Sequence, residues 1–169
     1  MWNNIRFQWP LHTVLFLTNW LPDNVIFLRL RGFLARGFFA SCGKDLRLGR
    51  DLTFYNSAKI VLGSHVYFAK GNWISAGDVV EIGDEVMFGP GSIVSSANHT
   101  RIGSSFRYGE PQIAPIKIGH GVWVSGNCTI TAGSVVGEGT LIGANSVVRD
   151  TVPAGVLYAG VPGKVIKTL

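Results

Sequence analysis

An apolar residue at every sixth position, glycine just after many of these residues, and a small or β-branched residue four positions on predict an all-β chain wound as a parallel β-helix. The large apolar series runs Leu62, Phe68, Ile74, then Ile82, Phe88, Val94, and after a gap Ile118, Val124, Ile130, Val136, Ile142 and Val148. Gly63, Gly83, Gly89, Gly119, Gly137 and Gly143 follow members of it, and Val66, Val86, Ser92, Val122, Cys128, Ser134, Thr140, Ser146 and Val152 form the second series. An amphipathic helix repeats near 3.6 residues and a lone strand near 2, so neither sustains a period of six. Six residues make one short strand and a bend, and three such units close a triangular coil. Coils stacked about 4.8 Å apart bury each large residue against its equivalent below. The 169 residues, 47% hydrophobic and 15% charged, suffice for one domain of this kind and exclude a disordered chain.

Residues 1–45 stand outside the rhythm and read as an N-terminal helical cap, and residues 46–169 as the β-helix domain. Within the cap, the apolar run Val14 to Leu21 is broken by Thr18 and Asn19 and ends at Pro22. It falls well short of the roughly 20 residues that span a bilayer, and no small-residue cleavage site follows, so a secretory signal is not expected. Asp23 is the expected N-cap of a following helix. In it Val25, Phe27, Leu28, Leu30, Phe33, Leu34 and Phe38 form the apolar face, with Arg29, Arg31 and Arg36 between them. Packed on the domain, that helix turns its apolar face inward; the alternative is a helix lying on a membrane surface. The net charge of +5, with many of the basic residues in the first third among aromatics, favours an anionic partner. No nucleic-acid-binding motif is present, so nucleic acid is not the expected one.

Along the domain the series slips by two residues between Ile60 and Leu62 and between Ile74 and Ile82, which predicts small bulges at corners. Between Val94 and Ile118 it vanishes. The loop, residues 100–115, is therefore extruded from the stack, and its Arg101, Phe106, Arg107, Tyr108 and Glu110 suggest a functional arm. Cys42 and Cys128 lie far apart and outside any Cys/His cluster, which excludes a disulfide framework or a zinc site and favours a reducing compartment. Cys128 occupies an inward small position. Among the histidines, His12 falls in the cap, and His65 and His120 at variable bends. His99 stands at the root of the ejected loop, a place where coil, loop and a neighbouring subunit could form a cleft. An imidazole is suited to removing a proton there near neutral pH.

The segment PIKIGHGVWVSGNCTITAGSVVGEGTLIGANSVVRDTVPAGVLYAGVPGKVI, residues 115–166, resembles the C-terminal half of the hexapeptide-repeat acetyltransferases, in particular the maltose and galactoside O-acetyltransferases. GVW at 121–123, IGANSVV at 142–148 and AGVPGKVI at 159–166 carry it, and it extends upstream through the β-helix. The first forty-odd residues are more similar to polysaccharide-modifying relatives. The resemblance implies left-handed winding, a homotrimer, and acetyl coenzyme A held between neighbouring β-helices, with no metal. It makes His99 the general base. Gly126 becomes the oxyanion donor, beside Ser125, and Trp123 lines the thiol end of the coenzyme. Ala144 meets the pantetheine arm, and Arg149, Lys164 and Lys167 lie near the phosphates and adenine. Asp150 replaces a family lysine.

On the acceptor side the family's acidic residue falls at Gly77 and its asparagine at Ala69, which leaves Asp78, Asn72 and Trp73 as candidates and argues against maltose or galactoside. The alternative for Trp123 is a hydrophobic anchor at the trimer seam, for Trp73 a packing residue, and for the three cations solvated surface charges. The resulting expectation is an O-acetyltransferase acting on a sugar hydroxyl of a surface polysaccharide or its precursor, cytoplasmic or at the inner face of the membrane. Acetylation of an amino-sugar nucleotide or of an antibiotic-type acceptor is the alternative. A zinc carbonic anhydrase of the same fold needs two closely spaced histidines, which this sequence lacks.

Overall fold

The computed structural model describes residues 2–169. From Ser41 the chain winds into a parallel β-helix with three faces. The first face stacks β1 (Ser41–Cys42), β4 (Ile60–Leu62), β7 (Val80–Ile82), β12 (Ile116–Ile118), β15 (Val135–Val136) and β18 (Thr151–Val152). The second stacks β2 (Arg47–Leu48), β5 (Tyr67–Phe68), β8 (Met87–Phe88), β13 (Trp123–Val124), β16 (Leu141–Ile142) and β19 (Val156–Gly160), and β20 (Gly163–Thr168) returns antiparallel along β19. The third stacks β3 (Thr53–Tyr55), β6 (Trp73–Ser75), β9 (Ile93–Ser95), β14 (Thr129–Thr131) and β17 (Val147–Val148).

Strand register gives the coil length. Arg47, Tyr67 and Met87 are partners, so the early coils take twenty residues, whereas Trp123 with Leu141 gives eighteen and Leu141 with Leu157 sixteen. The surplus of the early coils sits at the corner between the third and first faces, as in the 3-10 turn Ser57–Lys59. The slip expected before Leu62 is this turn. It lets β4 bury both Ile60 and Leu62, and one coil on β7 likewise buries Val80 and Ile82.

Both repeat series point inward. Every large member from Leu62 to Val148 and every member of the second series is buried. Phe39, Phe54 and Phe68 meet edge to face, and Phe68 lies flat on Phe88 with ring centroids 4.7 Å apart. The hydroxyls of the second inward series are satisfied by backbone. Ser92 donates to the Ser125 carbonyl (2.9 Å), Thr140 to that of Pro153 (2.7 Å) and Ser134 to that of Val148 (3.2 Å). Cys128 lies in this core, and burial pushes its thiol up; the half-buried thiol of Cys42 is pushed up to about 11.

The cap consists of a π-helical stretch Asn4–Gln8, α1 (Trp9–Thr18) and α2 (Val25–Ala35). Asn24, not Asp23, caps α2, its side chain accepting from the Phe27 amide (3.1 Å). Asp23 is drawn instead to Arg31. The expected apolar face of α2 is only partly inward: Phe27, Leu28 and Phe38 are half-buried, whereas Val25, Leu30, Phe33 and Leu34 are exposed, as is Ile26, and the buried residues of the helix are Arg31, Gly32 and Ala35. Gly32 shows why. A Cβ there would overlap the Leu46 carbonyl, so α2 touches the first coil at the one residue that permits it. Arg31, 1% exposed, fills the space beside that contact. Its guanidinium donates to the carbonyls of Thr18 (3.2 Å), Leu48 (2.9 Å) and Leu21, and pairs with Asp23 (2.8 Å), tying α1, the connecting turn and the first coil together.

At the other side of α2, Arg29 (2.9 Å) and Arg47 (2.7 Å) both reach Asp45, and these partners, Arg47 foremost, hold its carboxyl well below the usual range. Removing Arg31 strands Asp23 and at least three carbonyls. Arg31→Ala is therefore expected to lower stability by about 3 kcal/mol in urea unfolding. A loss below about 1 kcal/mol would contradict the anchoring role given to it.

Candidate active site

The extruded arm leaves the stack at the corner between the third and first faces. After β9 the chain forms β10 (Ala97–Asn98), which pairs antiparallel with β11 (Gln112–Ile113), so a short ladder closes the loop at its base. His99 is the first residue beyond that ladder on the outgoing side, and it is exposed. The arm is held by its own contacts: Ile102 and Ser105 exchange backbone hydrogen bonds (2.8 and 3.0 Å), and Thr100 donates to the Glu110 carbonyl. Ile102, Phe106 and Tyr108 project from it unburied.

Asp78 belongs to the same corner one coil earlier. Ser96, at the root of the arm, receives a hydrogen bond from the Asp78 amide (2.9 Å) and donates to the Asp78 carbonyl (2.7 Å), so Asp78 and the arm are positioned as one unit. The exposed guanidinium of Arg149, 3.6 Å from Asp150, stands at this corner two coils beyond the arm's root. Trp73 lies on the outer surface of the third face against Tyr55, ring centroids 5.6 Å apart. Asn72 does not join the acceptor candidates. It is 1% exposed, with its amide donating to the Ala69 carbonyl (2.7 Å) and its oxygen accepting from the Ser92 amide (3.1 Å), so both ends brace the corner from inside.

The residues expected along the coenzyme lie elsewhere. Trp123 projects from the second face, 47% exposed, between Met87 and Leu141 in register. Ser125 and Gly126 form the corner between the second and third faces. Ala144 stands one coil below in the same corner, where the Asn145 amide donates to the Gly126 carbonyl (3.0 Å). Lys167 sits opposite Leu157, and Leu157 beneath Leu141, so the lower end of the Trp123 column carries Lys167, with Lys164 opposite Ala159. Trp123, Ser125, Gly126, Ala144, Lys164 and Lys167 thus make one track down an edge of the prism. His99, Asp78 and Arg149 occupy the next corner. The whole third face separates the two groups within one chain.

One participant escaped the sequence reading. A Cβ on Gly89 would lie 2.5 Å from the Gly126 amide nitrogen and 2.7 Å from the Ser125 carbonyl carbon, so Gly89 sets where that amide sits. Its membership of the glycine series was visible, but the clearance it provides depends on which corner lies next to it. Among the described residues, no group of three or more His, Cys, Asp or Glu side chains comes together that could hold a metal ion.

Residues 115–150 match the family model described as bacterial transferase hexapeptide (six repeats). That segment, about a fifth of the chain, carries the hexapeptide repeat. Over 76 residues, 37% of this chain and 39% of the relative, it is 37% identical to a putative lipopolysaccharide biosynthesis O-acetyl transferase, WbbJ, of Escherichia coli K12. Over 163 residues, 96% of this chain and 86% of the relative, it is 27% identical to a putative colanic acid biosynthesis acetyltransferase, WcaF, of the same organism. A hexapeptide-repeat-containing acetyltransferase of Vibrio cholerae O1 biovar eltor, solved in complex with acetyl coenzyme A, superposes with a TM-score of 0.82 at 25% identity, covering 95% of this chain and 85% of that one. The match to WbbJ thus covers well under half of that protein, whereas the other two likenesses take in the cap as well as the β-helix.

The packing of Gly89 makes a direct prediction. Gly89→Ala should displace the Gly126 corner and lower stability by about 1–3 kcal/mol in urea unfolding. Gly37→Ala, with nothing within 4 Å of the new methyl, should leave stability nearly unchanged. Equal behaviour of the two variants would contradict the clearance assigned to Gly89.

Proposed function

We propose that this protein is an acetyl-coenzyme-A-dependent O-acetyltransferase that acts on a sugar hydroxyl of a surface polysaccharide or its precursor. The observation that carries the reading is the pair of half-sites on adjacent corners, one built around an exposed imidazole at the root of the arm, the other a track suited to an extended ligand. The track offers an aromatic, then backbone along a corner, then two lysines. That order suits a thioester at the upper end and phosphates at the lower, where ammonium groups meet anionic oxygens. The relatives named above, acetyltransferases of polysaccharide biosynthesis and a fold bound to acetyl coenzyme A, support the same chemistry.

The two half-sites complete one another only between copies of the chain. In a homotrimer, the corner of one copy bearing His99, Asp78 and Arg149 faces the track of the next, and the arm reaches across with Phe106 and Tyr108. The outer faces are suited to this. Below Arg47 the second face carries Tyr67, Met87, Trp123, Leu141 and Leu157, and below Thr53 the third carries Trp73, Ile93, Thr129 and Val147, whereas on the first the Glu81–Lys117 ion pair separates Val61 from Val135. Two apolar faces meeting at one edge favour a closed ring of heterologous contacts.

In the reaction, the His99 ring takes the proton of the acceptor hydroxyl as its oxygen attacks the thioester carbonyl. The Gly126 amide donates to the oxyanion that forms. Collapse expels the coenzyme thiolate, which takes the proton back from the imidazolium, leaving an O-acetyl ester and free coenzyme A. A positioned base contributes about 10²–10⁴ and an oxyanion donor about 10²–10³. Asp78 is placed to orient the acceptor, and Trp73 offers a flat surface to a pyranose ring.

The test is thiol release from acetyl coenzyme A in the presence of glycans, sugars and amino-sugar nucleotides. His99→Ala should lower turnover by about 10² or more while retaining coenzyme binding. The product of the preferred acceptor should be an ester, cleaved by hydroxylamine. Near-normal turnover in His99→Ala, or a hydroxylamine-stable amide product, would contradict the proposal.

A further inference from the structure

The cap helices present a surface that the fold leaves uncovered. On α1 the buried side is made by Leu11 and Thr18, with Val14 and Leu15 half-buried. The opposite side carries Trp9, Phe16 and Leu17, at spacings that place them on one face; Trp20 follows just past the helix end, its indole donating to the Leu17 carbonyl (2.9 Å), and Trp2 and Ile5 extend the stripe upstream. Phe16 is 80% and Trp20 78% exposed. On α2, packed beside it, Ile26, Leu30 and Phe33 make a second outward stripe, Ile26 at 74% and Phe33 at 66% exposure. Soluble monomers rarely leave so many contiguous aromatics in water.

Charge decides what covers this surface. The exposed charges beside the two stripes are Arg6, Arg29 and Arg36, and Arg36 lies over the Phe33 ring at 5.5 Å. The acids beside the cap are already engaged: Asp23 by Arg31 and, at 3.5 Å, by Arg50, Asp45 by Arg29 and Arg47, and Asp51 by Asn19 and Lys70, which leaves Arg6 and Arg36 as the exposed charges of the stripes without an ion-pair partner among the described residues. A second copy docked by this surface would set Arg6 and Arg36 against their own equivalents, with the neighbouring carboxylates already paired. An anionic lipid surface instead offers hydrocarbon to the aromatics and phosphate to the arginines, and tryptophan is the side chain best matched to that boundary. No helix among the described residues is long and apolar enough to cross a membrane, so the mode is a helix pair lying in the interface.

We propose that the outward faces of α1 and α2 dock this protein on an anionic membrane, with Trp9, Phe16, Trp20, Ile26 and Phe33 entering the lipid and Arg6 and Arg36 facing headgroup phosphates. The packing of α2 then has a purpose. Arg31 and Gly32 fasten the cap from within, which frees the apolar residues to face outward. The proposal does not depend on the acetyl-transfer reading, since it rests on the cap alone.

The test is co-sedimentation of the full chain with vesicles of phosphatidylcholine mixed with phosphatidylglycerol, and with vesicles of phosphatidylcholine alone. Binding is expected to the first, to weaken with added salt, and to be far weaker to the second. Phe16→Ser combined with Trp20→Ser, both at exposed positions, should reduce binding at least about tenfold. Arg6→Gln combined with Arg36→Gln should remove most of the preference for phosphatidylglycerol. Far-ultraviolet circular dichroism and the unfolding midpoint should stay as in the parent, so that lost binding is not lost folding. Absence of sedimentation with the anionic vesicles, or full binding by the Phe16/Trp20 variant, overturns the proposal. So does a Phe16/Trp20 variant that only shifts the assembly to a smaller size in sedimentation velocity, which would assign the surface to a second copy.

Discussion

Parallel stacking is the constraint from which the rest of this molecule follows. Because each strand hydrogen-bonds to the strand one coil above and one below, a residue is locked over its equivalents through the whole prism, as Arg47, Tyr67 and Met87 show. The inward positions then have to be mutually compatible in size, which the Phe54, Phe68 and Phe88 contacts satisfy. The same lock acts on the outside. Side chains far apart in sequence line up in columns along faces and corners, and a column is what an extended ligand or a neighbouring copy can read. The track from Trp123 to Lys167 exists for the same reason the core does.

The corner turns add the second level of positioning. Their backbone approaches so closely that Gly89 and the Gly126 amide constrain each other, and the buried amide of Asn72 fastens one coil to the next from inside. The arm breaks the rhythm at one corner only, where Ser96 ties its root to the Asp78 backbone. A regular scaffold thus holds still the surroundings of an irregular insertion, and the exposed imidazole belongs to the insertion.

The β-helix was legible because its signal repeats. Any one apolar residue is ambiguous, but two interleaved series at period six, continued from Leu62 to Val148, admit few other folds, and both series are inward. The slip before Leu62 was equally readable and became the turn at Ser57–Lys59. What failed was non-repeating. Asn72 looked like a polar residue near the acceptor side, but a hexapeptide position does not reveal whether an amide faces outward or braces a turn. Asp23 and Asn24 are both good caps, and the choice fell to Asn24 because Arg31 claims the Asp23 carboxylate. The largest departure was α2. Its apolar periodicity predicted an inward face, whereas a glycine clearance and one buried guanidinium, both set by contacts with the first coil, left Phe27, Leu28 and Phe38 half-buried and turned Val25, Leu30, Phe33 and Leu34 outward. The candidate site was readable only in part, since His99 announced itself at the break in the repeat, but that it and the Trp123 track sit on different corners depends on how the coils close.

That separation makes an assembly in which each active centre draws on two chains the central claim, and complementation tests it most directly. His99→Ala and a variant carrying both Trp123→Ala and Lys164→Glu are each expected to be inactive as homogeneous assemblies. Co-expressed with different tags and purified as mixed oligomers, they should regain activity, up to about a quarter of the wild-type rate if copies mix at random, because some interfaces then pair an intact His99 corner with an intact track. Mixed oligomers that form yet stay as inactive as either parent would contradict the account.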